Sequence, residues 1–238
     1  MLVGINLKGV IIIVGNYGSG KTEVSINLAV YRHAQGIEVK IGDLDLVNPY
    51  FRTREVKTQL AELGIEVVTP PKQYLQADLP ILSPKISGMI RKPSELTILD
   101  AGGDDVGATV LASLAESMAD RQIAIFQVVN PYRPYTDTIA GCEKIRAAIE
   151  KAGKIKITGL IGNANLIDQT TIEDIYKGYD FVREYAVKSQ LPLEFITVSR
   201  KFYSRVDNDL IDCPVLPITR QLVPPWIKAQ EINTAFDN

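Results

Sequence analysis

A run of β-branched residues that stops at a glycine-rich loop and continues as a helix constrains this chain more than any other feature. Residues 9–14, Gly-Val-Ile-Ile-Ile-Val, form an unbroken run that suits a strand buried on both faces. From Gly20 to Ala34 the spacing turns helical, with Val24, Leu28 and Tyr31 on one face. Between them lies Gly15-Asn16-Tyr17-Gly18-Ser19-Gly20-Lys21-Thr22, which fits the pattern Gly-x-x-x-x-Gly-Lys-Ser/Thr. Strand, loop and helix in that order give the pattern a physical meaning. Glycines let backbone N–H groups turn inward and approach phosphate oxygens, and the helix starting near Gly20 adds its positive end. Lys21 is the point charge for the β- and γ-phosphates, and the Thr22 hydroxyl is a ligand for Mg2+. Glu23, in the same first turn, completes a candidate nucleotide-binding set running from Gly15 to Glu23.

The rest of the chain repeats the alternation. Strands are predicted at Glu38–Ile41, Ile65–Val68, Leu96–Leu99, Ile123–Val129, Ile155–Ile161, Leu193–Val198 and Val215–Leu216. Helices are predicted at Phe51–Leu63, Pro84–Arg91, Ala108–Met118, Thr136–Ala152, Thr170–Ser189 and Trp226–Phe236. Such alternation implies right-handed crossovers and a mostly parallel sheet with helices on both faces. No linker or charge run divides the 238 residues, so residues 1–238 are expected to form a single α/β domain. Thr69–Pro84 carries four prolines, and the irregular stretch near 69–92 reads as a lid-like or partner-binding segment, or as a plain surface excursion.

Composition removes several classes of function. A formal net charge of −2 offers no basic surplus for nucleic acid. The longest apolar run, Val10–Val14, is too short to cross a bilayer, and no signal-peptide pattern opens the chain, so a cytoplasmic protein is expected. Cys142 and Cys213 are isolated and read as small buried apolar residues.

Ligands of such sheets lie beyond the carboxyl ends of the strands. Two of those ends carry aspartates. Asp43 and Asp45 follow the second strand, and Asp100 precedes the flexible pair Gly102-Gly103. Each aspartate alone is an ordinary helix cap or turn residue. Beside a phosphate loop, carboxylates are what a metal's water shell and an attacking water require. Arg52, Arg54, Arg133, Arg200, Lys201 and Arg205 also follow strands, either as a solvated rim or toward a nucleotide or partner. Asn-Pro-Tyr occurs at both 48–50 and 130–132, in each case after a strand.

With these motifs the chain resembles the P-loop ATPases that include ParA, MinD, the nitrogenase iron protein and the nucleotide domains of cobyrinate synthetases. The likeness runs through the phosphate loop, Asp43-x-Asp45, Asp100-x-Gly102-Gly103 and Gly162-Asn163-Ala164-Asn165. It implies ATP and Mg2+ as ligands, with Thr22, Asp43 and Asp100 at the metal and Asp100 as the Walker B carboxylate. It implies Lys21 and Asp45 as the catalytic pair, with Asp45 orienting the hydrolytic water, and Asn163 at the adenine edge. The loop 217–222 would lie near the base. The Asn/Thr-Lys-x-Asp sequence of GTPases is missing, which favours ATP over GTP. Dimerising members carry a lysine directly after the first glycine of the loop, where this chain has Asn16.

The leading expectation is an Mg2+-dependent ATPase whose turnover switches an interaction with a protein partner or a second copy, for metalloenzyme maturation or cargo positioning. The alternative is an ATP-dependent small-molecule kinase or ligase of the dethiobiotin or cobyrinate synthetase type.

Overall fold

A computed structural model of the chain describes residues 4–45, 52–69, 84–102, 105–119, 121–207, 209–223, 232 and 234. Among the described residues eight strands form one sheet: β1 (Gly9–Gly15), β2 (Val39–Leu44), β3 (Glu66–Val68), β4 (Leu96–Ala101), β5 (Ile123–Val129), β6 (Gly159–Gly162), β7 (Leu193–Ser199) and β8 (Val215–Ile218). Their order is β3-β2-β4-β1-β5-β6-β7-β8, and every pairing is parallel. The expected layered α/β architecture is what the chain adopts.

The β-branched run of β1 does what its composition demands. Ile11 and Ile13 enter one core with Val24, Ile26 and Leu28 of helix α1 (Lys21–Ala34). Val10, Ile12 and Val14 enter the opposite core with Ile86 and Ile90 of α3 (Pro84–Arg91) and Val110 and Leu111 of α4 (Asp105–Ala112). Alternate residues thus bury opposite faces, the period-2 geometry of a central strand. The first core continues through Phe126, Ile161, Phe195, Leu216 and Ile218, so the sheet wraps α1 as far as β8. That curvature brings the exit of β8 beside the helix that begins at the phosphate loop.

The remaining helices are α2 (Lys57–Glu62), α5 (Ala115–Met118), α6 (Ile139–Gly153), α7 (Ile172–Ser189) and α8 (Arg200–Tyr203). Several bounds differ from the sequence reading for identifiable reasons. The strand expected at Ile155–Ile161 is only Gly159–Gly162. Lys154 turns left-handed at φ 52°, and Glu150 then holds the return segment by accepting from the Ile157 N–H at 3.0 Å. Ile155 and Ile157 are buried under the second core without joining the sheet. The helix expected at Phe51–Leu63 is a 3-10 turn, Thr53–Val56, followed by α2, because side chains of that turn are bonded to neighbouring strand ends. The helix expected at Ala108–Met118 breaks between α4 and α5. There the Ser113 hydroxyl bonds back to the Val110 carbonyl at 2.6 Å, a competitor to the helical ladder. The expected closing helix Trp226–Phe236 falls almost wholly outside the described residues, as do residues 70–83 of the lid-like segment and the first Asn-Pro-Tyr; residues 84–91 of that segment are α3.

Both cysteines are buried and free, and burial pushes their thiols up to about 12. Among the described residues no helix is long and apolar enough to cross a membrane.

Candidate functional site

The ends of β1, β2, β4 and β5 meet around residues 15–22. In the parallel register Ile13 lies opposite Asp100, Gly15 opposite Val128, and Asp43 opposite Asp100. Gly15 is held so close to β5 that an added Cβ would sit 2.7 Å from the Val128 carbonyl oxygen and 2.8 Å from Ser19 Oγ. Gly20, at φ 87°, is the N-cap of α1 and brings no side-chain oxygen to the first turn. The helix start is therefore an uncapped group of donors of the kind that receives an anion. Lys21 is 5% exposed and Thr22 is buried with it. Ser19 Oγ is buried and has no partner among the described residues, a hydroxyl suited to a phosphate oxygen. Tyr17 projects outward, and Asn16 Nδ2 donates to the Pro134 carbonyl at 2.9 Å.

Asp100 is fully buried and accepts from Thr53 Oγ1 at 2.9 Å and from Ser25 Oγ at 3.5 Å. Burial raises its carboxyl to about 7, Asp43 adds to the rise, and Lys21 with the Thr53 and Thr22 hydroxyls opposes it. A carboxylate so short of compensating charge is a fitting neighbour for a divalent cation. Among the described residues no group of three or more His, Cys, Asp or Glu is placed to cage a metal unaided. The donor set suits Mg2+ held jointly by one or two protein groups and phosphate oxygens.

Asp43 departs from the role that the resemblance implies. Arg54 closes on it as a fork, Nε to Oδ2 at 2.6 Å and Nη2 to Oδ1 at 3.0 Å. The Arg54 backbone N–H adds a bond to Oδ2 at 3.3 Å, and the Asp45 N–H adds one to Oδ1 at 3.0 Å. Both oxygens are engaged, so in this structure Asp43 anchors an arginine. Asp45 is 1% exposed, and its carbonyl accepts from Arg54 Nη2 at 2.5 Å. Arg52 is buried near the same pair, with Nε lacking a partner among the described residues. Of the arginines that follow strands, Arg52 and Arg54 are thus built into the carboxylate side of the site. Arg133 lies against Gly18 of the loop.

Two other candidates are engaged differently from expectation. Asn163 Nδ2 donates to the Ser19 carbonyl at 2.6 Å, and Asn163 Oδ1 accepts from Thr197 Oγ1 at 2.5 Å. Its amide ties the loop at Ser19 to Thr197 of β7. Glu23 does not turn to the loop's interior: Oε1 accepts from the Gln221 N–H at 2.8 Å and Oε2 from the Leu222 N–H at 3.1 Å. Burial raises that carboxyl to about 7 against those bonds. Thr53 and Thr197 were not singled out in the sequence, where an isolated threonine near a strand end carries no signal. Gly103 lies outside the described residues.

No family model matches the chain, and no curated protein matches it. Solved structures do. The cell division protein FtsY of Thermotoga maritima is 19% identical with a TM-score of 0.58, over 84% of this chain and 64% of that one. The signal recognition particle receptor FtsY of Elizabethkingia anophelis is 18% identical with a TM-score of 0.51, over 87% and 65%. The signal recognition particle 54 kDa protein of Aeropyrum pernix K1, in complex with GDP, is 18% identical with a TM-score of 0.51, over 82% and 42%. The likeness is one of fold. The chain spans less than two thirds of the length of these FtsY chains.

The Arg54–Asp43 fork has a measurable signature. Arg54→Met leaves a fully buried carboxylate unpaired and should lower unfolding stability in urea by about 3–5 kcal/mol. Adding Asp43→Asn should recover part of that loss, so the two changes fall well short of additive. Additive losses would mean that the pair is not coupled.

Proposed function

We propose that this chain is a P-loop protein of the CobQ/CobB/MinD/ParA type that binds ATP with Mg2+ and hydrolyses it to switch an interaction with a protein partner or a second copy. The observation that carries the reading is the placement of the buried Lys21, at the start of an uncapped helix, against the fully buried Asp100 at the end of the adjacent strand. It joins the phosphate loop to the carboxylate that a metal-dependent triphosphate site needs. We read residues 1–238 as one cytoplasmic domain.

Each group then has a task. First-turn N–H groups and Lys21 hold the phosphates. Thr22 would hold Mg2+, with Asp100 accepting from its shell. The ion supplies charge neutralisation at the phosphate oxygens. Asp45 is the carboxylate we assign to orienting water. It is buried, as a group that must exclude competing solvent should be. Asn163 and Ser19 keep the loop rigid, so little reorganisation accompanies binding. ATP is preferred to a guanine nucleotide because Gly162-Asn163-Ala164-Asn165 lacks the lysine and aspartate that read guanine in GTPases.

Calorimetry and phosphate release on one set of variants test this. Lys21→Ala should lose most of its affinity for Mg·ATP, since the phosphate charge loses its partner. Asp45→Ala should bind normally and turn over roughly 10²-fold more slowly, as expected of a lost nucleophile-positioning group. GTP should fail to displace ATP at equal concentration. Unchanged ATP affinity in Lys21→Ala contradicts the site, and normal turnover in Asp45→Ala contradicts its role.

A further inference from the structure

The phosphate loop divides the carboxyl end of the sheet into chemically different halves. Toward β2 and β4 lie Asp43, Asp45, Asp100, Arg52 and Arg54, a half made of charge. Toward β6, β7 and β8 the buried polar side chains at the strand ends are the neutral Asn163, Thr197, Thr219 and Gln221; charged groups there include Glu23, occupied by the β8 loop, and the partly exposed Arg200 and Arg220. A nucleoside triphosphate has the same asymmetry, charged at one end and neutral with hydrogen-bonding edges at the other. On the reading proposed above, the buried Lys21 and Asp100, brought to one level by the β1–β4 register, set the metal-bearing end toward β4, so the nucleoside leaves toward the exits of β6–β8.

The exit of β8 is tied to α1 by two side chains one helical turn apart. Asn27 pairs with Thr219 in both directions: the Thr219 N–H donates to Asn27 Oδ1 at 2.8 Å, and Asn27 Nδ2 donates to the Thr219 carbonyl at 3.1 Å. Glu23 takes two further N–H groups of the loop, Gln221 at 2.8 Å and Leu222 at 3.1 Å, on separate oxygens. Asn27 Nδ2 also donates to Glu23 Oε1 at 3.0 Å. A carboxylate is the side chain that can accept on both of its terminal atoms; an amide of the same shape presents one acceptor and one donor. Bonds to an ionised acceptor are also about twice as strong as neutral ones. The residue that follows Thr22 thus fixes a loop roughly two hundred positions later in the chain. Within that loop Thr219 is 9% exposed, its backbone is held on both sides, and its Oγ1 has no partner among the described residues. A buried hydroxyl of this kind is costly until something bonds to it.

We propose that Glu23 is a positioning residue for nucleoside recognition: it fastens the 219–222 loop to the first turn of α1, so that the Thr219 hydroxyl meets the nucleoside rather than the phosphates. Glu23 itself touches neither. Loss of the clamp frees the loop and weakens the nucleoside contribution alone, because Gly15–Thr22 is braced independently by Asn163.

The test compares Mg·ATP with magnesium tripolyphosphate, which carries the phosphates without the nucleoside, by calorimetry on the full chain. The parent should bind both, ATP more tightly. Glu23→Ala should lose ATP affinity by about tenfold or more, the scale of one or two lost charge-assisted bonds, while tripolyphosphate affinity stays within about twofold. Glu23→Gln, which restores one acceptor, should fall between parent and alanine variant, and Thr219→Val should shift ATP alone. If Glu23→Ala does not fold, Glu23→Gln and Thr219→Val carry the same comparison. Equal losses for both ligands would make Glu23 a general support of the fold and overturn the inference, as would parent-like ATP affinity in Glu23→Gln and Thr219→Val. A parent that binds neither ligand removes the phosphate-site reading and this inference with it.

Discussion

A lysine withdrawn from water at the first turn of α1 is the interaction on which the arrangement depends. An ammonium that is 5% exposed costs several kcal/mol unless opposite charge stands close. Asp100 supplies it, and only because β1 and β4 pair in parallel register does its carboxylate reach the loop's level. Asp100 in turn sits beside Asp43, a second buried carboxylate on the next strand. That repulsion is met by the Arg54 fork, and the 3-10 turn that carries Arg54 also sends Thr53 to Asp100. Lys21, Arg52 and Arg54 thus stand against Asp43, Asp45 and Asp100. On the proposed reading, an arriving triphosphate enters a site already close to neutral, so binding must redistribute these pairs rather than simply fill a positive hole.

The sheet serves this site by wrapping α1. Because Leu216 and Ile218 of the edge strand share a core with Val24 and Leu28, the exit of β8 lies beside the phosphate loop instead of several strand widths away. Glu23 and Asn27 then make the approach exact by hydrogen bonding. Hydrophobic burial sets which elements meet, and a few directional bonds set how.

Much of this was legible in the sequence because it is local. The Gly15–Thr22 pattern, the β-branched run before it and the aspartates at strand ends each occupy a few consecutive residues, and the sheet followed from the alternation. Strand 155–161 was overdrawn because Ile155 and Ile157 alternate like a strand, yet they plug a core below a left-handed turn at Lys154. The Arg54 fork escaped because Asp43 lies eleven positions away in the chain, and no periodicity announces a side chain that folds back on a strand end. The Glu23 clamp escaped for the same reason at a far larger separation. Such contacts belong to tertiary geometry, and the resemblance offered metal and adenine roles for residues that the structure engages with arginine and backbone.

Backbone hydrogen exchange of the full chain, with and without Mg·ATP, tests the central claim most directly. If residues 15–23 form the phosphate site, their amides should exchange at least about tenfold more slowly with nucleotide bound, because the loop's donors then point at phosphate oxygens rather than water. Nucleotide that leaves exchange in 15–23 unchanged while protecting some other segment would contradict the account.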